Sequence, residues 1–216
     1  MRWTALAFTH LAEILSPSRC AACDSLLDRR ALLCAICAST VLRWSGDGNP
    51  LAFGHYGGAL SSALLRLKYG NRPDLGAALG QLLVPVVLAH LTPRDVDLVI
   101  PVPVPYDRLV QRGYNQSALI GRPLASALMA RLETRALARK DGSVRQAGLN
   151  RSDRLKNLQG AFVLRAPKRV RGKRVVLVDD VRTTGATLQA CEDLLLKGGA
   201  DVVATAVVAR TEVFES

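Results

Sequence analysis

Two neighbouring carboxylates, Asp179 and Asp180, follow the apolar run Val175 to Val178 and precede Thr183, Thr184, Gly185, Ala186 and Thr187 in the stretch VVLVDDVRTTGAT. Adjacent carboxylates repel each other and resist burial, so this position calls for a ligand that uses both. The residues after them open a helix. Its unpaired N–H groups, the Thr hydroxyls and a glycine that allows close approach form a cradle for a phosphate. Carboxylates in turn accept hydrogen bonds from sugar hydroxyls. A phosphate site beside a diol site is what a ribose 5-phosphate requires. Capping the helix is the simpler role for Asp, but a cap needs one carboxylate and has no use for TTGAT.

The second constellation is CAACDSLLDRRALLCAIC, which holds Cys20, Cys23, Cys34 and Cys37 as two CxxC turns. Each turn converges two thiolates, and the pair completes a tetrahedral zinc shell with no open position, the arrangement of a structural site. Reduced, unpaired thiols and disulfides are the rival readings; disulfides persist in oxidising compartments, for which the chain carries no export signal. Cys191 stands at helical spacing from Leu188, Leu194 and Leu195 and reads as core.

The formal net charge of +11 is concentrated: between Arg108 and Arg174 there are 17 Lys and Arg against Glu133, Asp141 and Asp153, a local +14. Such a segment suits a polyanion, either a small phosphorylated molecule or a nucleic acid, with an Arg-rich solvated face as the alternative. No apolar stretch reaches the roughly 18–20 residues that span a bilayer. The N-terminal WTALAFTHLAEIL carries His10 and Glu13 where a secretory leader is apolar. Residues 3–15 are expected to form an amphipathic helix, and the chain is expected to be cytoplasmic, without membrane insertion.

The elements that must position these residues follow from periodicity. The polar cluster Ser45 to Pro50 reads as a boundary between an N-terminal module (1–48) and a larger domain (49–216). Strands are expected at Phe53 to Tyr56, Asp97 to Val102, Ala161 to Leu164, Arg174 to Val178 and Asp201 to Ala209. Helices are expected at Ala59 to Lys68, Leu75 to Leu91, Tyr114 to Leu132 and Ala186 to Lys197. Continuous apolar strands separated by helices imply an α/β fold with a mostly parallel sheet covered on both faces, and ligands in such sheets bind beyond the carboxyl ends of the strands.

VVLVDDVRTTGAT resembles the phosphoribosyl pyrophosphate (PRPP) loop of type I phosphoribosyltransferases. The CxxC pair, DLVIPVPVPYDRLVQRGYNQSALIGRPLA and RQAGLNRSDRLKNLQGAF extend the likeness to the ComF family, the competence-associated phosphoribosyltransferase-like proteins with a small zinc-ribbon module in front. The resemblance implies that Asp179 and Asp180 hold the ribose hydroxyls, the position of catalytic residues if transfer occurs. It implies that Val181 to Thr187, with Thr183, Thr184, Gly185, Ala186 and Thr187 at the 5-phosphate, form the PRPP loop, in which Arg182 is an unusual occupant whose side chain can turn away. Pro101, Val102 and Pro103 belong to the turn that approaches the pyrophosphate; because prolines lack an amide, Val102 and Val104 would have to supply it. Arg112 opens the family's RGFNQ-like stretch, here with Tyr114. Arg145, Gln146, Arg151, Arg154 and Asn157 belong to a flap. Structural zinc, magnesium with PRPP, single-stranded DNA on residues 108–174 and other DNA-uptake proteins are the implied cofactors and partners.

Overall fold

The computed structural model describes residues 18–27, 31–46, 48–140 and 160–211. The expected helix over residues 3–15 and the flap residues Arg145, Gln146, Arg151, Arg154 and Asn157 lie outside the described residues. Strands β1 (Leu51–His55), β2 (Leu98–Pro101), β3 (Arg131–Leu132), β6 (Arg174–Arg182) and β7 (Asp201–Arg210) form one sheet in the order β1, β7, β6, β2, β3. Every neighbouring pair in it is parallel. Strands β4 (Leu137–Arg139) and β5 (Phe162–Leu164) make a separate antiparallel pair.

Seven described helices surround the sheet: α1 (Ala35–Ser39), α2 (Gly58–Tyr69), α3 (Asp74–Leu88), α4 (Tyr106–Arg112), α5 (Gln116–Ala127), α6 (Pro167–Val170) and α7 (Ala186–Lys197). Alternate residues of a strand face opposite sides. Val176 and Val178 pack with Leu60, Leu64 and Leu67 of α2, Leu75 and Leu79 of α3 and Ile120 of α5. Val175 and Leu177 pack with Leu188, Cys191 and Leu195 of α7, Phe162 and Val170. Both faces are therefore covered, as continuous apolar strands require, and each fully buried Leu contributes about 1.5–3 kcal/mol.

Two expectations change. The helix expected to reach Leu132 ends at Ala127, because Met129 adopts φ +50 and Ala130 donates its N–H back to the Ala125 carbonyl at 2.9 Å. That left-handed stop usually announces itself with glycine, and here it does not. Arg131 and Leu132 are thereby released to pair with β2. Strand β6 continues past Val178 to Arg182, with Asp179, Val181 and Arg182 registered against Val207, Ala209 and Arg210. The two acids thus lie within the strand, not beyond it. On either side of residue 47, Trp44 donates its N–H to the Phe53 carbonyl at 3.1 Å, and Asn49 Oδ1 accepts from the N–H and hydroxyl of Thr205 at 2.7 and 2.8 Å.

Helices α3 and α5 cross closely because Gly80 has no side chain; a Cβ there would lie 2.3 Å from the Ile120 carbonyl oxygen and 2.7 Å from Pro123 Cγ. Backbone cannot yield as a flexible side chain does. Gly80→Ala is expected to lower stability by about 2–3 kcal/mol, measured by urea unfolding.

Candidate ligand site and four-cysteine centre

Strand alternation assigns the two acids different surroundings: Asp179 falls in phase with Val175 and Leu177, Asp180 with Val176 and Val178. Asp180 meets Lys68 from the last turn of α2 in an ion pair that leaves its side chain 5% exposed. Asp179 Oδ1 accepts the Ser117 hydroxyl at 2.7 Å and the Asp180 N–H at 2.9 Å. Burial, and then the charge of Asp180, push the Asp179 carboxyl up to about 7, against the opposing pull of the Ser117 hydrogen bond.

The RGYNQS stretch organises the opposite wall. Asn115 caps α5, its Oδ1 accepting from Ser117 N–H at 2.9 Å, while its Nδ2 donates to the Val102 carbonyl at 3.0 Å. One side chain thus fixes both the helix start and the PVPVP turn. Gln116 Oε1 accepts from Arg112, and Tyr114 donates its hydroxyl to the Leu67 carbonyl at 2.5 Å, closing the C-terminal end of α2.

The loop from Thr183 to Thr187 runs into the start of α7. Gly185 takes φ +82, a left-handed conformation, and begins α7. A Cβ at Gly185 would lie 2.9 Å from Arg182 Nε, so the Arg182 side chain lies over this glycine. Thr184 uses its hydroxyl internally, accepting from Ala186 N–H at 3.4 Å.

These elements enclose a cavity of about 930 Å³. Of the expected site residues, Val102, Pro103, Arg112, Asp179, Asp180, Val181, Thr183 and Thr187 line it. Arg182, Gly185 and Ala186 line a small recess beside it, together with Asp179 and Thr187. Pro101 is buried at the end of β2 and Thr184 lines neither. The expectation for Val102 needs correction: its N–H is donated to the Val178 carbonyl at 2.9 Å, extending the sheet, so it has no amide to offer a ligand. Proline on either side hides this, because a strand that borrows one more bond looks the same in sequence.

Sequence reasoning missed Lys68, Ser117 and two tyrosines, Tyr56 and Tyr69, which all belong to the site, and placed Arg108, Arg139 and Lys140 only within the basic segment 108–174. Lys68 and Tyr69 break the apolar stripe of α2 just before Gly70, a signal that was available. Arg139 and Lys140 reach the cavity because β4 pairs with β5 at the base of the segment 141–159. Tyr56, Tyr69 and Tyr106 give the cavity three aromatic rings, whereas Tyr114 is committed to α2.

At the other centre, the four cysteine sulfurs lie within 4.8 Å of one another, and Cys23 Sγ is 3.8 Å from Cys34 Sγ. Four thiolates at about 2.3 Å from one zinc ion stand about 3.8 Å apart, so the donor set fits that metal. Burial opposes ionisation of Cys20, but the backbone at Cys23, Cys34 and Ala22 brings it down to about 6. Burial and the neighbouring cysteines push Cys37 up to about 12. Cys191 is fully buried on the inner side of α7, as expected of a core residue. No helix among the described residues is long and apolar enough to cross a membrane.

The family described as "Phosphoribosyl transferase domain" matches residues 118–213. DNA utilization protein YhgH of Escherichia coli is 36% identical over 159 residues, 72% of this chain and 69% of that protein. Competence protein F of Haemophilus influenzae is 33% identical over 202 residues, 92% of this chain and 87% of that protein. Among solved structures, adenine phosphoribosyltransferase from Thermoanaerobacter pseudethanolicus is similar with 18% identity and a TM-score of 0.43, covering 69% of this chain and 74% of that one.

Proposed function

Because the chain belongs to the ComF family of phosphoribosyltransferase-like proteins, alongside DNA utilization protein YhgH and competence protein F, we propose that it binds PRPP or a related ribose 5-phosphate and handles single-stranded DNA. The observation that carries the ligand reading is the junction of Asp179 and Asp180 with Thr183 and Thr187 in one cavity. Carboxylates for a diol stand there beside hydroxyls and helix amides for a phosphate. Lys68, Arg108, Arg112, Arg139 and Lys140 supply positive charge around it. With Val102 committed to the sheet, Val104 is the amide of that turn for a pyrophosphate to meet.

Asp179 and Asp180 are already engaged by Ser117 and Lys68. Magnesium would therefore arrive on the pyrophosphate and supply charge neutralisation there. The four cysteines would hold structural zinc, and residues 1–48 and 49–216 would be the two functional parts, acting in the cytoplasm. The DNA reading is supported by the basic segment, by the names of the relatives and by the three tyrosines at the cavity, since bases stack on aromatic rings while cations follow the phosphates. Other DNA-uptake proteins are the partners this reading implies.

A side-by-side titration tests both halves. Calorimetry at millimolar magnesium is expected to detect PRPP binding to the wild type and none to Asp179→Asn/Asp180→Asn. Affinity for a single-stranded oligonucleotide is expected to fall with salt at a logarithmic slope of about −3, from Arg108, Arg112, Arg139 and Lys140 as phosphate contacts. No heat with PRPP removes the ligand half; a salt-insensitive affinity removes the DNA half.

The spare volume of the cavity favours a second reading, phosphoribosyl transfer. The bond from C1 of the ribose to the pyrophosphate oxygen would break with its electron pair on the leaving group. An acceptor nitrogen or oxygen would form the new bond and release its proton. The two carboxylates would steady positive charge on the ribose through its hydroxyls. Pyrophosphate release dependent on an added acceptor would support transfer; a panel without turnover leaves a PRPP-binding protein or sensor.

A further inference from the structure

The helix that lends Lys68 and Tyr69 to the cavity is held at both ends by the four-cysteine segment. At its start, Ala59 donates its N–H to Thr40 Oγ1 at 2.9 Å, and that hydroxyl donates to the Cys37 carbonyl at 2.8 Å. At its end, Asp24 accepts from Arg66 at 2.5 Å and from Arg72 at 3.3 Å. Asp24, the residue directly after the first CxxC turn, is itself tied to that turn, its N–H donated to the Cys20 carbonyl at 2.9 Å. Ala21, between two of the cysteines, is fully buried in the same core as Leu60, Leu64 and Leu67 of α2.

The last turn of α2 then serves both centres. Positions two apart on a helix point about 200° from each other. Arg66 accordingly reaches the cysteine segment while Lys68 pairs with Asp180. Between them, Leu67 is buried and its carbonyl is taken by Tyr114; after them, Tyr69 lies 5.7 Å from the Arg112 guanidinium.

We propose that the four-cysteine centre and the ribose phosphate cavity are thermodynamically coupled through α2, with Asp24 and Arg66 as positioning residues. A metal ion closing the two CxxC turns fixes Asp24 and Thr40; these hold the helix, and the helix presents Lys68 and Tyr69 to the anionic ligand. The coupling rests on the ribose 5-phosphate reading above. By linkage it is reciprocal, so the ligand raises the affinity for the metal by the same factor that the metal raises the affinity for the ligand.

The test uses the full chain loaded with zinc. Ribose 5-phosphate is titrated by calorimetry, and zinc affinity is measured against a chromogenic chelator with and without saturating ribose 5-phosphate. Arg66→Gln, remote from the cysteines, is expected to keep its zinc and bind ribose 5-phosphate at least about fivefold more weakly, the lower end of ordinary coupling. In the wild type the ligand raises zinc affinity by the same factor; in the variant it does not. Asp24→Asn, which tolerates the left-handed backbone at φ +67, reproduces both effects, and the double variant is no worse than either single one. If Asp24→Asn sheds its zinc, Arg66→Gln decides alone. Wild-type zinc affinity indifferent to ligand, or Arg66→Gln equal to wild type in ligand affinity, overturns the coupling while leaving the ligand site standing. Absence of ribose 5-phosphate binding by the zinc-loaded wild type removes the ligand reading and the coupling with it.

Discussion

Asp179→Asn is expected to weaken ribose 5-phosphate binding by about a hundredfold and, at the same time, to make the ligand-free protein more stable above pH 7. The binding loss follows from removing a charged acceptor for the sugar hydroxyls, where hydrogen bonds to ions are worth about 1.5–3 kcal/mol each. The gain in stability follows from the raised pKa. Burial, with Asp180 alongside, holds the folded carboxyl at about 7 against an ordinary value of 3.8. Between those values the folded chain retains a proton that the unfolded chain has released, so stability falls as pH rises from about 4 to about 7. Below that window the penalty is absent, and above it the penalty is complete, on the order of a few kcal/mol. Asn has no proton to lose. Urea midpoints of wild type and variant are therefore expected to diverge as pH rises from about 4 to about 7 and to stay apart above that, with the variant the more stable. Parallel pH profiles would show that Asp179 ionises freely in the fold and does not carry this strain. A site that is costly without its ligand is one that ligand binding can stabilise.

Lys68→Met is expected to act in the opposite sense on stability. It removes the counter-charge from Asp180, whose side chain is 5% exposed, while preserving most of the packing of the Lys stem. Breaking one side of a buried ion pair leaves an uncompensated charge and costs about 3 kcal/mol or more. Adding Asp180→Asn is expected to recover most of that loss, because it is the lone charge that is unfavourable and not the missing attraction. Urea unfolding of the wild type, the two single variants and the double variant measures the coupling directly. A double variant as unstable as the sum of its parts would mean that Lys68 stabilises α2 by packing alone. Both variants are expected to lose ligand, so only stability separates their roles.

The legible part of this protein was the part written locally. The strand expected at Arg174 to Val178, the helix Ala186–Lys197 and the strand after it follow from apolar runs and a Gly198 stop, and all three are present, the first of them extended to Arg182. The CxxC pairs put four sulfurs together because each pair shares one tight turn, and one long-range step was enough to join them. The helix stop at Met129 was not legible, since a left-handed methionine carries no sequence signal. The end of β6 was equally hidden, because nothing in DDVR says whether β7 will continue to pair beside it. The two-residue strand β3 was taken for the end of a helix for the same reason: its partner lies more than thirty residues away, at Leu98 and Val99.

By itself, the sequence determined the kind of fold, a loop of paired carboxylates and threonines from which the ligand proposal starts, and a set of thiols suited to a closed metal site, because each of these is encoded in a contiguous run whose chemistry does not depend on distant neighbours. Only the tertiary structure decided how the two acids differ. Lys68 comes from α2 and Ser117 from α5, and strand alternation turns Asp179 and Asp180 toward opposite sides, so adjacent residues of one type have unlike partners. The three tyrosines, the spent amide of Val102 and the link from Asp24 to α2 were likewise products of packing. Each depends on where a helix ends relative to a sheet, a distance that no stretch of the chain specifies alone.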